Sequence, residues 1–231
     1  MHSNSNNYRH EFKYPVSESE IEIIRNRICN LMELDANTGT EGQYHISSLY
    51  FDDIYDSCYY DKENGVDPRE KFRIRIYNHD TGRIALECKR KEHGKILKTS
   101  CLLSVAQAEK LCRGEYLRDI ADQPPLLRKF TEQMMSRGLR PVIIVEYNRR
   151  PYVYKLGNVR VTFDMGLSAS DDVTNFLTGP VARRPVMETG LHLLEVKYDE
   201  YIPDVIYRAL QTDHLVQMAF SKYALCRKYT M

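Results

Sequence analysis

Charged and apolar residues alternate with a period of two in five separate places along this chain. The polar members are Arg9, Glu11 and Lys13; Lys71, Arg73 and Arg75; Glu87, Lys89 and Lys91; Arg160, Thr162 and Asp164; and Glu195 and Lys197. Successive side chains on a strand point to opposite sides, so each segment predicts a strand with one charged and one apolar face. A single strand of this kind is ordinarily a solvated surface strand. Five of them, with carboxylates set among arginines and lysines, predict a shared polar interior that grips a polyanion and a metal ion.

The other periodicities place the remaining elements. A strand over 8–14 is followed by Pro15 and Ser17, which open a helix to about Leu31 whose stripe is Ile21, Ile24, Ile28 and Leu31. Strands are predicted over 44–51, 70–77, 83–91, 95–100, 141–152, 159–167 and 191–198, and helices over 55–62, 105–112, 126–136, 204–210 and 218–228. Adjacent antiparallel pairs separated by helical excursions make an α+β pattern, not a regular βαβ alternation. About eight strands is the number at which a closed antiparallel barrel has an interior just wide enough for side chains or one small ligand. The expected architecture is a closed eight-stranded antiparallel β-barrel, charged within, with helices packed outside. The inverse arrangement, an apolar core under a charged outer surface, needs no helices on the charged side.

Composition narrows the partners. With 231 residues the chain holds a sizeable core, read as a single domain over 8–231 behind a disordered polar tail at 1–7. Thirty-three Lys and Arg against 32 Asp and Glu leave a net charge of +1, so no global basic field marks a nucleic-acid binder and any anion site needs local segregation of charge. The six cysteines show no CxxC spacing, which points to free thiols in a reducing cytoplasm. The tail has no apolar signal region, and the longest aliphatic run, 142–145, is too short to cross a bilayer. A cytoplasmic protein is expected, with docking on a membrane protein at the inner face left open.

Facing rows of Arg and Lys repel unless an anion or interleaved carboxylates compensate, because unpaired buried charge costs several kcal/mol per ion. Arg73 and Arg75 offer planar forks to phosphate oxygens, while Lys13, Lys89 and Lys222 act as point charges. Glu195, with Glu11, Glu87 or Asp164 nearby, has the chemistry for a hard divalent cation. Any one of these carboxylates serves equally well as a salt-bridge partner. His10, His45 and His192 fall in strand patterns and read as structural.

The motifs Arg9-His10-Glu11-Phe12-Lys13, Ser48-Leu49-Tyr50-Phe51-Asp52, Lys71 to Tyr77, Leu86-Glu87-Cys88-Lys89, Glu146-Tyr147-Asn148-Arg149, Val159 to Asp164, Leu194-Glu195-Val196-Lys197 and Ser221-Lys222-Tyr223 occur in one order from Tyr8 to Tyr229. In that order the chain resembles the polyphosphate polymerase (VTC) domain of the vacuolar transporter chaperone complex, within the triphosphate tunnel metalloenzyme, or CYTH-like, superfamily. The resemblance implies transfer of the terminal phosphate of ATP onto inorganic polyphosphate with manganese or magnesium. It implies that Arg73, Arg75, Lys89, Arg149 and Lys222 are catalytic, that Arg9, Lys13, Tyr147, Arg160, Lys197 and Ser221 bind substrate, and that Glu195 and Glu11 hold the metal. The superfamily pattern Glu-x-Glu-x-Lys stands here as Arg9-x-Glu11-x-Lys13, and a cation in place of a carboxylate argues against a two-metal triphosphatase. Neither the regulatory SPX domain nor the membrane segment of the eukaryotic complex is expected in this sequence. The alternatives are a metal-dependent tripolyphosphatase or nucleoside triphosphatase, and a non-catalytic polyphosphate or nucleotide sensor.

Overall fold

Strand β1 (His10–Ser17) ends where Ser17 and Glu20 form a capping box, each side chain taking the other's backbone N–H, and this starts helix α1 (Glu18–Ile28). The computed structural model describes residues 9–211 and 215–230, so the tail expected at 1–7 lies outside the described residues. The chain continues through β2 (Glu33–Leu34), β3 (Tyr44–Asp52), α2 (Ser57–Glu63), β4 (Arg69–Tyr77), β5 (Asp80–Glu92), β6 (Lys95–Leu103), α3 (Val105–Cys112) and α4 (Pro125–Arg137). It closes with β7 (Arg140–Tyr154), β8 (Val159–Ser170), β9 (Arg184–Pro185), β10 (Leu191–Tyr198), α5 (Asp204–Leu210) and α6 (Lys222–Lys228). The short strands β2 and β9 lack any periodicity to predict them. Leu31, read as part of the α1 stripe, lies beyond the helix end and is exposed, and Met32 is buried in its place.

The sheet runs β1-β10-β8-β7-β3-β4-β5-β6, with β2 added to β7 and β9 to β8. It curls into a half-barrel, and the expected closed barrel is corrected here. The edge strands β1 and β6 form no ladder; a single bridge joins them, Arg9 N to Ile96 O at 3.1 Å and Ile96 N to Arg9 O at 3.2 Å. The reason lies in the carboxy-terminal segment, which takes up part of β1's free edge: the Met218 amide donates to the Lys13 carbonyl at 3.0 Å, and Lys13 Nζ donates to the Phe220 carbonyl at 2.9 Å.

Alternation gives the sheet its two faces. On the convex side Phe72, Ile74 and Leu86 pack against Leu111, Leu127 and Phe130 of α3 and α4. Val161, Phe163 and Leu194 pack against Ile21, Ile24 and Ile28 of α1 and Ile206 of α5. Each such side chain contributes about 1.5–3 kcal/mol by leaving water. Helix α6 departs from the expectation that all helices lie outside. Its Tyr223 and Cys226 join Tyr50, Val145 and Tyr147 on the concave side, and the Tyr223 hydroxyl donates to buried Asp52. The helix therefore carries Lys222 into the hollow. No helix among the described residues is long and apolar enough to cross a membrane.

Candidate functional site

Strand β4 turns Lys71, Arg73 and Arg75 toward the hollow, and register fixes their partners. Arg73 faces Glu87 across the β4–β5 ladder, donating from Nε at 2.8 Å and lying 2.7 Å away through Nη2, while its Nη1 donates to the Tyr50 hydroxyl at 2.8 Å. Arg75 faces Ser48 across β3–β4 and donates to its Oγ at 3.0 Å and to the Tyr147 hydroxyl at 3.3 Å. Lys98 reaches the other Glu87 oxygen at 2.8 Å.

The opposite wall is a second network. Arg149 grips Asp164 with two parallel hydrogen bonds of 2.6 and 2.7 Å. Lys222 joins Asp164 at 2.6 Å and Glu195 at 2.5 Å. Glu195 also meets Lys197 at 2.8 Å, Arg149 at 3.3 Å and Lys13 at 3.5 Å, so four cations surround one carboxylate. Lys13 continues to Glu11 at 3.3 Å, and Lys89 reaches Glu11 at 2.7 Å. The Tyr147 ring lies beneath Arg149 and Lys222, with their charged groups 5.3 and 4.9 Å from its centroid. Seven predicted cations, Lys13, Arg73, Arg75, Lys89, Arg149, Lys197 and Lys222, thus share these two networks with four carboxylates.

Two predicted substrate residues stand apart. Arg9 is committed to Asp199 at 2.7 Å and to the Asn158 carbonyl at 2.7 Å, so its guanidinium does not join the Glu195 network. Arg160 is held by Asp35 at 2.7 Å and by the Tyr44 hydroxyl at 3.1 Å. Ser221 caps α6 and lies 3.5 Å from Lys71 Nζ. Lys71 belongs to the β4 alternation, although the family resemblance implies no role for it. Lys98, whose neighbours in β6 carry no matching charge, left no signal.

Burial opposes ionisation of every carboxylate here, yet the surrounding cations win. Lys197, Lys222, Lys13 and Arg149 hold Glu195 well below the usual range, and Arg149 and Lys222 do the same for Asp164. Glu11 and Glu87 are likewise held down by their lysines and arginines. For Lys222 the attraction of Asp164 and Glu195 overcomes burial and raises the ammonium. For Lys89 burial prevails and brings it down to about 7, although 33% of its side chain stays accessible; burial also lowers Lys71 to about 8.

The model of the VTC domain matches residues 8–231. The chain belongs to the VTC domain family. Among solved structures, a candidate adenylate cyclase from Bacillus halodurans aligns over 88% of this chain and 87% of its own at 15% identity, with a TM-score of 0.48. A Pyrococcus horikoshii protein aligns over 88% and 84% at 16% identity and 0.44, and the Mimivirus capping enzyme triphosphatase over 91% and 92% at 10% and 0.39. Likenesses of this size carry no weight for substrate or activity. No curated protein matches in sequence.

Lys89 and Lys71, the lysines of the VTC domain that burial brings down furthest, set a pH dependence. A bound polyanion favours the ammonium form, so above pH 7 binding must take up protons, while below it the lysines are already charged. Affinity for long-chain polyphosphate should therefore fall as pH rises from about 7 to 9, by up to roughly tenfold per unit for each proton taken up. Calorimetry in buffers of different ionisation enthalpy would count those protons, and Lys89→Arg and Lys71→Arg should flatten the slope. Affinity independent of pH across this window would show both lysines fully charged in the free protein.

The VTC domain also permits a test of the metal assignment. Glu11 and Glu195 approach each other across Lys13 and Lys197, which contact both. Their oxygens are already met by lysine and arginine, so they do not form a ready cage. They do suit a hard cation of the magnesium or manganese kind, held by one or two carboxylates with substrate phosphates supplying the other oxygens.

Proposed function

We propose that this VTC domain is a phosphotransferase that moves the terminal phosphate of ATP onto the end of an inorganic polyphosphate chain. The observation that carries the reading is the excess of cations on one concave face, where the seven predicted ones, with Lys71 and Lys98 beside them, meet four ionised carboxylates. That surplus is costly when the hollow holds only water, and a polyphosphate neutralises it along its length. Each charge-assisted contact contributes about 1.5–3 kcal/mol.

The chemistry needs orientation and charge neutralisation more than proton transfer. The nucleophile is a terminal phosphate oxygen, anionic at neutral pH; it forms the new P–O bond as the bond from the γ-phosphorus to the bridging oxygen breaks and ADP departs. Arg73 and Arg75 stand ready to neutralise charge on the transferred group, with their forks fixed by Glu87, Tyr50, Ser48 and Tyr147. Lys13, Lys89, Arg149, Lys197 and Lys222 hold the chains, and Glu195 and Glu11 would hold the metal. A bound divalent ion would withdraw charge from the phosphates it met there. Arg9, tied to Asp199, is not among the groups that hold the chains in this reading.

Purified protein supplied with ATP and manganese or magnesium should yield ADP and polymer on a stained gel, with little free phosphate at early times. Stoichiometric phosphate without polymer would replace this reading with a triphosphatase; polyphosphate binding without either product would make the domain a sensor. In the same assay Glu195→Gln should abolish metal-supported turnover while polyphosphate still binds. Wild-type rate and metal dependence in that variant would leave Glu195 an ion-pair partner only.

A further inference from the structure

On the convex face of the same wall, two imidazole nitrogens without a hydrogen-bond partner face a buried carboxylate. Glu146 on β7 is 1% exposed, and its Oε1 lies 3.6 Å from Nε2 of His45 on β3 and 3.9 Å from Nδ1 of His79. Both ring nitrogens are buried and lack a hydrogen-bond partner, and the two imidazoles stack at 4.5 Å. Asn148 Oδ1 lies 3.1 Å from His45 Nδ1, and the tautomer that keeps its proton on Nδ1 leaves the Nε2 lone pair free for a cation. Ser47 Oγ donates to Glu146 Oε1 at 2.8 Å and Arg183 to Oε2 at 3.1 Å, so the carboxylate is ionised and fixed. Against the burial that would raise it, His45, Ser47 and Arg183 hold Glu146 at about 2.

His79 reaches this place through a built turn. Asn78 and His79 join β4 to β5 with φ of 51° and 54°, both in the left-handed region. The Asn78 side chain accepts from the His45 amide at 2.8 Å, and the Asn78 amide donates to the His45 carbonyl at 3.0 Å. The hairpin tip is thereby docked at the start of β3 with its imidazole beside that of His45.

Two unpartnered ring nitrogens beside an ionised carboxylate suit a cation, and one metal ion would draw all three groups to a single centre. We propose that His45, His79 and Glu146 bind a first-row transition metal ion of the zinc type. Two imidazoles and one carboxylate are the donor set such ions take, with bonds of about 2.0–2.2 Å, whereas magnesium and calcium prefer oxygen alone. The spacings of 3.6 and 3.9 Å need only small side-chain shifts to close on one centre. The Asn148 contact is the outer hydrogen bond that orients a ligating histidine. A fourth position would open on an adjoining cavity of about 250 Å³ bordered by His45, Asn148, Ser168 and Arg183. The site is separate from Glu195, which faces the hollow on the other side of the sheet. It would staple the β4–β5 hairpin, which carries Arg73, Arg75 and Glu87, to β3 and β7.

The test uses the full chain, stripped with chelator, with Zn²⁺ and then Co²⁺ titrated in the absence of nucleotide and phosphate. One equivalent of Zn²⁺ is expected, with Co²⁺ giving the intense visible bands of a low-symmetry four-coordinate site. Asn148→Ala should weaken zinc binding by roughly 10–100-fold, and Glu146→Gln or His79→Asn by more; His79→Asn preserves a residue that tolerates the left-handed turn. Circular dichroism and retained polyphosphate binding check that each variant is folded. Absence of zinc binding in the unaltered protein overturns the proposal. So does undiminished binding in folded Glu146→Gln and His79→Asn, or binding lost only in Glu195→Gln. Because no ATP is present, the outcome is independent of the polymerase reading.

Discussion

An Asp164→Asn variant should melt roughly 6–20 °C below the unaltered protein in phosphate-free buffer and recover part of that loss when polyphosphate is added. Asp164 is fully buried and takes two bonds from Arg149 and one from Lys222. With its charge removed, both cations lean on Glu195, which already serves Lys13 and Lys197. Breaking a buried pair by losing one partner costs about 3–5 kcal/mol, and about 2–4 °C per kcal/mol applies to a chain of this size. A bound polyanion supplies the missing negative charge, hence the recovery. Asp199→Asn is the contrast: it breaks the pair with Arg9, where both side chains keep about a third of their surface in water (33% and 27%), and should cost no more than about 1 kcal/mol. Calorimetric melting of both variants with and without polyphosphate decides the matter. An Asp164→Asn protein as stable as the parent, or one that polyphosphate fails to rescue, would show that the cations do not depend on charge in the hollow.

The second large effect is on rate. Arg73→Ala or Arg75→Ala should lower turnover at saturating ATP by roughly 10²–10³, the loss seen when one preorganised donor is removed from developing charge. Both guanidiniums are prepositioned by groups that stay in place when either arginine is lost, and Glu87 keeps Lys98 and the remaining arginine as partners. The comparison is Lys91→Ala, near the end of β5 opposite Arg69, which should lose far less. Steady-state kinetics on the three variants, with kcat separated from KM, provides the check. Equal losses at all three positions would put the reaction centre elsewhere along the hollow.

Much of this molecule is local in origin. The period-two charges that name Glu11, Lys13, Arg73, Arg75, Lys89, Glu195 and Lys197 follow from the direction of each Cβ along a strand, which requires no knowledge of the neighbouring strand. Helices α3 and α5 begin and end where their apolar periodicity does, because caps such as the Ser104 and Gln107 box are written within a few residues. Partner choice is a different matter. That Arg149 takes Asp164, that Arg9 takes Asp199, and that Lys222 arrives beside Glu195 depends on β-register and on α6 folding onto the concave face. Whether the sheet closes depends on curvature summed over eight strands and on the carboxy-terminal segment taking β1's edge. The cluster of His45, His79 and Glu146 is drawn from three distant stretches, each of which alone reads as a polar position on a strand or turn. Alternation decides which face a side chain occupies; only the pairing of distant strands decides what it meets there.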